Sequence, residues 1–117
     1  MPVTRLIALN AASGAYTPVA ASIPARSVTI VEDGAAAGQG VEAQFPADGF
    51  SATSTFAAGA PITLTGAGHD GICGLPAQNA GNGASAFNYR AADVYCQLRS
   101  ATATATTVRV TETEALS

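Results

Sequence analysis

The sequence has few charged residues, and it contains no lysine and no tryptophan. Charged residues are 11% of the chain, whereas ordinary domains carry about 25%. The basic residues are all arginine and lie far apart: Arg5, Arg26, Arg90, Arg99 and Arg109. With this distribution and a net charge of −3, the sequence indicates no patch of positive charge that would bind nucleic acid or an anionic membrane. We therefore predict neither kind of partner.

Histidine and cysteine are also scarce, which restricts the possible metal sites. The single histidine, His69, excludes the common zinc sites built from several histidines. Cys73 and Cys96 are too few and too far apart for a metal ribbon. Cys96 alternates with Val94 and Leu98, so we expect a buried thiol there. We predict no metal and no cofactor.

Long apolar runs are missing as well. No run approaches the roughly 18 residues that span a bilayer. The apolar start is too short for the core of a signal peptide and lacks a basic region before it. We therefore expect the protein to be made and kept on the cytoplasmic side until it is released by another route, which disfavours a disulfide between Cys73 and Cys96.

What the sequence has in quantity is alternation of apolar and polar residues. In residues 94–112, Val94, Cys96 and Leu98 alternate with polar or aromatic residues, and Val108 and Val110 do the same further on. A period of two is typical of a half-buried strand, and the β-branched residue types agree with it. Further strands are predicted at 3–9, 16–23, 26–33, 41–45, 50–56 and 62–65.

Turn residues recur about every 8–12 positions, and no helical period occurs. This spacing predicts an all-β fold, an antiparallel β-sandwich or a jelly-roll-like barrel of about seven to nine short strands. The 117 residues fit one domain, 1–117. Pro18 forbids a central position for the second strand. Because Pro18 and Pro24 favour extended chain, residues 1–24 are also a candidate arm that reaches a neighbouring subunit.

The sequence offers little support for a catalytic site or a phosphate-binding site. His69 could be a general base oriented by Asp70, but adjacent residues rarely face each other, and no serine or cysteine nucleophile motif accompanies them. The glycine-rich segment 66–83 has no phosphate-binding pattern followed by a helix. We interpret this segment as a long loop, a kind that is usually functional or disordered. We predict no catalytic residue and no enzyme.

Acidic pairs give two further candidates. Glu32 with Asp33, and Glu112 with Glu114, are rich in oxygen ligands, but neither has the spacing of a calcium loop. We interpret both pairs as solvated strand ends.

The surface is expected to be rich in small, uncharged residues, which cost little to desolvate and lose little side-chain entropy on contact. Either the protein is a stable domain with a neutral surface, or it is a subunit that buries much of that surface in an assembly. Residues 100–107, SATATATT, also have two interpretations. They form either a loop between two strands or an unprotected strand segment that a neighbouring subunit covers.

The use of arginine without lysine reflects either genome composition or planar pairing at contacts.

Two stretches carry a resemblance to a known family. They are IPARSVTIVEDG at 23–34 and VYCQLRSATATATTVRVTE at 94–112, with Gly- and Pro-rich loops between them. In this pattern the chain resembles capsid decoration (cement) proteins of tailed bacteriophages, of the β-sandwich or jelly-roll type. The resemblance implies a structural protein on the capsid exterior of the virion, bound to the major capsid protein and assembled as trimers or dimers. It would stabilise the capsid by bridging its subunits, and no residue role is carried over.

Two alternatives stay open at this point. The first is a phage tail, neck or fibre component. The second is a module that binds a surface glycan through the loop at 66–83.

Overall fold

The structure is a computed structural model, and it describes residues 2–34, 37–46, 49–65 and 92–114. It contains eight strands: β1 (Val3–Leu9), β2 (Thr17–Ala20), β3 (Ala25–Asp33), β4 (Val41–Gln44), β5 (Ser54–Phe56), β6 (Ile62–Thr65), β7 (Val94–Ser100) and β8 (Thr106–Glu114). The prediction of an all-β chain with seven to nine short strands is confirmed. The predicted loop at 66–83, including His69, Asp70 and Cys73, lies outside the described residues.

The strands form two antiparallel sheets of four. The first sheet has the order β1-β8-β3-β6 and the second has the order β2-β7-β4-β5. Strand β1 pairs with β8, β2 with β7, β3 with β6, and β4 with β5. This is the pairing of one long hairpin rolled up on itself, which is the scheme of a jelly roll. Within the described residues no strand pairing joins the two sheets, so the fold is a sandwich and not a closed barrel.

The stretch 94–112 supplies a central strand to each sheet. Strand β7 lies between β2 and β4, and β8 lies between β1 and β3. Residues 101–104 form bends between them, and the chain crosses there from the second sheet to the first. The loop interpretation of 100–107 is therefore correct for these four residues. The alternative, a strand segment covered by a neighbour, is wrong there because the chain leaves the sheet.

The core lies between the two sheets and is built from alternate residues, as the period of two predicts. Its fully or almost fully buried side chains include Val28, Ile30, Leu64, Cys96, Leu98, Val108 and Val110, with Tyr95 as the largest. Phe45 adds an edge-to-face contact with Phe56, with ring centroids 6.4 Å apart. The predicted burial of Cys96 is confirmed. The expectation that it forms no disulfide with Cys73 stays a prediction, because Cys73 lies outside the described residues.

Strand β2 is at the edge of the second sheet, which confirms the inference from Pro18. Pro18 has no N–H to donate, so an edge position costs it no ladder hydrogen bond. Within residues 1–24, β1 and β2 both pair inside this chain. A role for this segment as an arm toward a neighbour stays a prediction about an assembly.

We expect replacement of Leu64 by alanine to lower the free energy of unfolding by about 2–5 kcal/mol, because Leu64 is fully buried and its loss leaves a cavity. Urea denaturation followed by circular dichroism measures this change. Thr55→Ala is the control, since Thr55 is exposed on an edge strand of the other sheet. Its effect should stay within about 0.5 kcal/mol. Equal effects of the two substitutions would contradict the assigned core.

Candidate functional site

Strand β1 presents an apolar edge to solvent. Its outward residues are Thr4, Leu6 and Ala8, and all three are exposed. Leu6 is 62% exposed, and Val3, near the start of the strand, is 37% exposed. Seven consecutive residues of β1 pair with β8 without a register shift. On its other side β1 has no strand neighbour in the described part of the chain.

The outer face of the first sheet continues this surface with small, β-branched side chains. The strand registers align Thr4, Thr111, Thr29 and Thr63 across all four strands. We call these four residues the threonine row. The hydroxyl oxygens of Thr4 and Thr111 are 3.4 Å apart. The neighbouring row contains Leu6, Arg109 and Val31. The face therefore has short side chains with little conformational entropy to lose on contact.

One ion pair lies on the same face. The Nη1 atom of Arg109 is 2.9 Å from Oδ2 of Asp33. Both side chains are well exposed, so the pair contributes little to stability. Its consequence for the surface is that the two charges cancel.

Behind β1, a buried carboxylate connects the two sheets. Glu112 of β8 has no exposed surface. It accepts hydrogen bonds from the N–H of Ser22 (3.0 Å), from Oγ of Ser22 (2.5 Å) and from the hydroxyl of Tyr95 (2.5 Å). Arg5 of β1 donates to the same carboxylate and to the carbonyl of Ala20. The interpretation of Glu112 as a solvated strand end is wrong, because these donors replace water around it.

Tyr95 reaches Glu112 because of a β-bulge. Val19 pairs with Cys96, but the next residue of β2, Ala20, pairs with Val94. Tyr95 is therefore the extra residue on β7, and a bulge can redirect a side chain. Simple alternation assigns Tyr95 to the face opposite Cys96, yet both are buried.

The environment of Glu112 keeps it ionised. Burial raises the pKa of Glu112, but the hydrogen bonds from Ser22 and Tyr95 and the charge of Arg5 lower it by more, so the pKa is below its ordinary value. The carboxylate thus carries its charge in the folded protein, where each of its oxygens has donors.

Glu32 of β3 has a related role in the connection from β3 to β4. Its carboxylate accepts hydrogen bonds from the N–H groups of Gln39 (3.1 Å) and Gly40 (2.8 Å) and from Oγ1 of Thr106 (2.8 Å). Burial raises the pKa of Glu32, but these hydrogen bonds together lower it by more, so the pKa is below its ordinary value. Gly40 has φ +78°, and a Cβ there would lie 3.0 Å from the carbonyl oxygen of Phe56. The interpretation of this pair as a solvated strand end is wrong for the half-buried carboxylate of Glu32, which the protein's own donors bind, but it fits Asp33, whose side chain is 39% exposed.

Both glutamates could have been found from the sequence. Glu32 has the same parity as Val28 and Ile30 on β3, and Glu112 has the same parity as Val108 and Val110 on β8. A period of two places such residues on the inward face. In the described ranges, no group of three or more acidic, histidine or cysteine residues is arranged to hold a metal.

The outer face of the second sheet is polar and its groups bind one another. Arg99 is 2.7 Å from Oε1 of Glu42 and lies over the ring of Tyr16, 4.4 Å from its centroid. The hydrogen bond to Glu42 raises the pKa of Arg99 above its ordinary value. Gln97 donates to Gln44 at 2.5 Å. Arg5, Arg99 and Arg109 each form an ion pair with a carboxylate of this chain.

No protein-family model, curated protein or solved structure matches the chain. Among the residues that the structure describes, none forms a helix long and apolar enough to cross a membrane. The candidate site is therefore the surface formed by the β1 edge and the outer face of the first sheet.

We expect Glu112→Gln to lower the free energy of unfolding at pH 7 by on the order of 3 kcal/mol, because it leaves Arg5 without its partner charge. Since the folded-state pKa is lowered, this stability is present at neutral pH and is lost as the pH falls below about 5 through the folded-state value. The difference between wild type and variant should therefore shrink in acid. Urea denaturation over a pH series measures it.

Glu114→Gln is the matched control for that experiment, because Glu114 is exposed two residues along the same strand. A Glu112→Gln profile that runs parallel to wild type at every pH would contradict the role assigned to the buried carboxylate.

We expect Glu32→Gln to speed hydrogen exchange at the amides of Gln39 and Gly40 by more than about tenfold, because a charged acceptor contributes roughly 1.5–3 kcal/mol. Exchange followed by NMR measures this change. Asp33→Asn is the control, since Asp33 bonds Gly34 and Arg109 instead. Unchanged exchange in Glu32→Gln would show that the loop is held by other contacts.

Proposed function

We propose that the protein is a structural virion protein, a decoration protein on the exterior of a tailed-bacteriophage capsid. In this role it binds the major capsid protein and stabilises the capsid by bridging adjacent subunits. The observation that carries the proposal is the outer face of the first sheet. This face combines the threonine row, the exposed Leu6 and one neutralised ion pair.

The composition of this face suits permanent contact with another protein. Threonine and alanine side chains are short, so few rotamers are lost when a partner covers them. The charges of Arg109 and Asp33 cancel on the same face, so a partner need not supply an opposite charge. Large arrays of unpaired charge, which would have to be desolvated, are not found on this surface in the described residues.

The fold is compatible with the proposal. Jelly rolls with eight strands occur in viral capsid proteins and in lectin-type domains, and the same fold serves unrelated functions. What a bridging protein needs is resistance to shear between its two layers. The Glu112 network supplies such a connection, because it joins β1 and β8 of the first sheet to β7 of the second.

The proposal is tested on virions of the phage that carries this chain. We expect deletion of the protein to leave assembled capsids that open at a lower temperature, and addition of the purified protein to restore both binding and heat resistance. Co-sedimentation and thermal release of DNA measure the two effects.

A matched pair of variants tests the face itself. Thr63→Arg adds a charge at the end of the threonine row, and Thr55→Arg adds the same charge on an exposed strand of the other sheet. Thr63→Arg should lose capsid binding while Thr55→Arg keeps it. Binding of the protein to tails instead of capsids, or equal binding by both variants, would refute the proposal.

A further inference from the structure

Strand β1 is the least protected of the four edge strands in the described part of the chain. Strand β2 contains Pro18 and pairs through a bulge. Strands β5 and β6 have only three and four residues. Strand β1 has seven residues in continuous register, without proline or lysine. Natural proteins protect isolated edge strands with proline, lysine, bulges or short length. An edge strand without these features is suited to pair with another strand.

The one charged residue of β1 does not protect the edge. Arg5 is directed away from the outer face, and its guanidinium group is bound to Glu112 and to the carbonyl of Ala20. The residue that is exposed on the outer face at the centre of the strand is Leu6, at 62%. The edge thus offers backbone hydrogen-bonding groups and an apolar side chain, with no free charge against a partner strand.

We propose that β1 pairs in antiparallel fashion with β1 of a second copy of this chain, about a twofold axis at Leu6. The two first sheets then form one continuous sheet of eight strands. In this register Leu6 faces Leu6 of the second copy, and Thr4 faces Ala8. On the inward side Arg5 faces Ile7.

The sequence of β1 selects this register. Centring the axis on Leu6 pairs all seven residues of each strand and sets no two charges opposite each other. Moving the axis to Arg5 places two arginines in direct opposition, which destabilises a cross-strand pair. A shift of one residue in the pairing would turn the inward side chains of one copy toward the outer face of the other.

Pairing of β1 with β1 of a second copy is favoured over pairing of β1 with a different edge strand of that copy. The other edges that the structure describes are shorter or carry Pro18, so they would leave part of β1 uncovered. A twofold pairing of identical edges is also closed, whereas head-to-tail pairing of different edges grows into open chains. Arg109 pairs with Leu6 in the strand register, and its charge is already neutralised by Asp33 of the same chain. It therefore adds no unpaired charge near the proposed axis.

This inference goes beyond the proposed function and does not depend on it, because the dimer forms in solution without a capsid. Of the two oligomeric states that the resemblance implies, it selects the dimer.

Sedimentation equilibrium of the full chain tests the proposal. We expect wild type to be a dimer and Leu6→Arg to raise the dimer dissociation constant at least about tenfold, because two like charges then face each other and apolar contact is lost. Thr63→Arg should remain a dimer, since Thr63 lies on the opposite edge of the same sheet. Circular dichroism and thermal unfolding establish that each variant is folded.

A charge-swap experiment identifies the axis. Leu6→Glu alone should also dissociate, but an equimolar mixture of Leu6→Arg and Leu6→Glu should form a heterodimer, because the two residues then attract each other. A monomeric wild type, a dimer that Leu6→Arg leaves intact, or a mixture that stays monomeric would each overturn the proposal. Failure of the proposed function is distinguishable, because Thr63→Arg affects capsid binding and not the dimer.

Discussion

The structure depends on the buried carboxylate of Glu112. An ionised group without exposed surface is costly unless donors replace its water, and here the donors come from β1, from β7 and from the connection between β2 and β3. The network therefore requires both sheets to be in their final places. A shift of β8 by one residue would move Glu112 to the outer face and leave Arg5 and Tyr95 without their acceptor. The same residue that stabilises the sandwich thus also fixes the register of its central strand.

Alternation was enough to predict most of the fold. The bounds of β1 were predicted as found, Pro18 correctly indicated an edge, and the inward residues Leu98 and Val108 are buried. The position of Tyr95 could not be predicted in this way, because a bulge is a property of two paired strands and not of one sequence. Glu112 was missed for a different reason. Its parity indicated the inward face, but its charge suggested solvent, and the donors that reconcile the two are distant in sequence.

The two outer faces of the sandwich differ in what they leave for a partner. On the second sheet, Arg99, Tyr16 and Glu42 satisfy one another, and Gln97 binds Gln44. A partner covering these groups would compete with bonds that already exist. On the first sheet, the exposed side chains of β1, such as Thr4 and Leu6, are short or apolar, so a partner that covers them displaces less. The function and the dimer that we propose both concern this first sheet.

The rolled-hairpin pairing has a consequence for the newly made chain. Arg5 and Glu112 are 107 positions apart, so at about 5–20 residues per second a ribosome delivers the second roughly 5–20 s after the first. During that interval β1 and β3 have an empty place between them where β8 will insert. Pairing of such distant segments is slow. Until β8 is made, β1 lacks the strand that pairs with it in the folded protein. Synthesis of β8 therefore sets the time at which β1 gains its neighbour within the chain and becomes less prone to premature association.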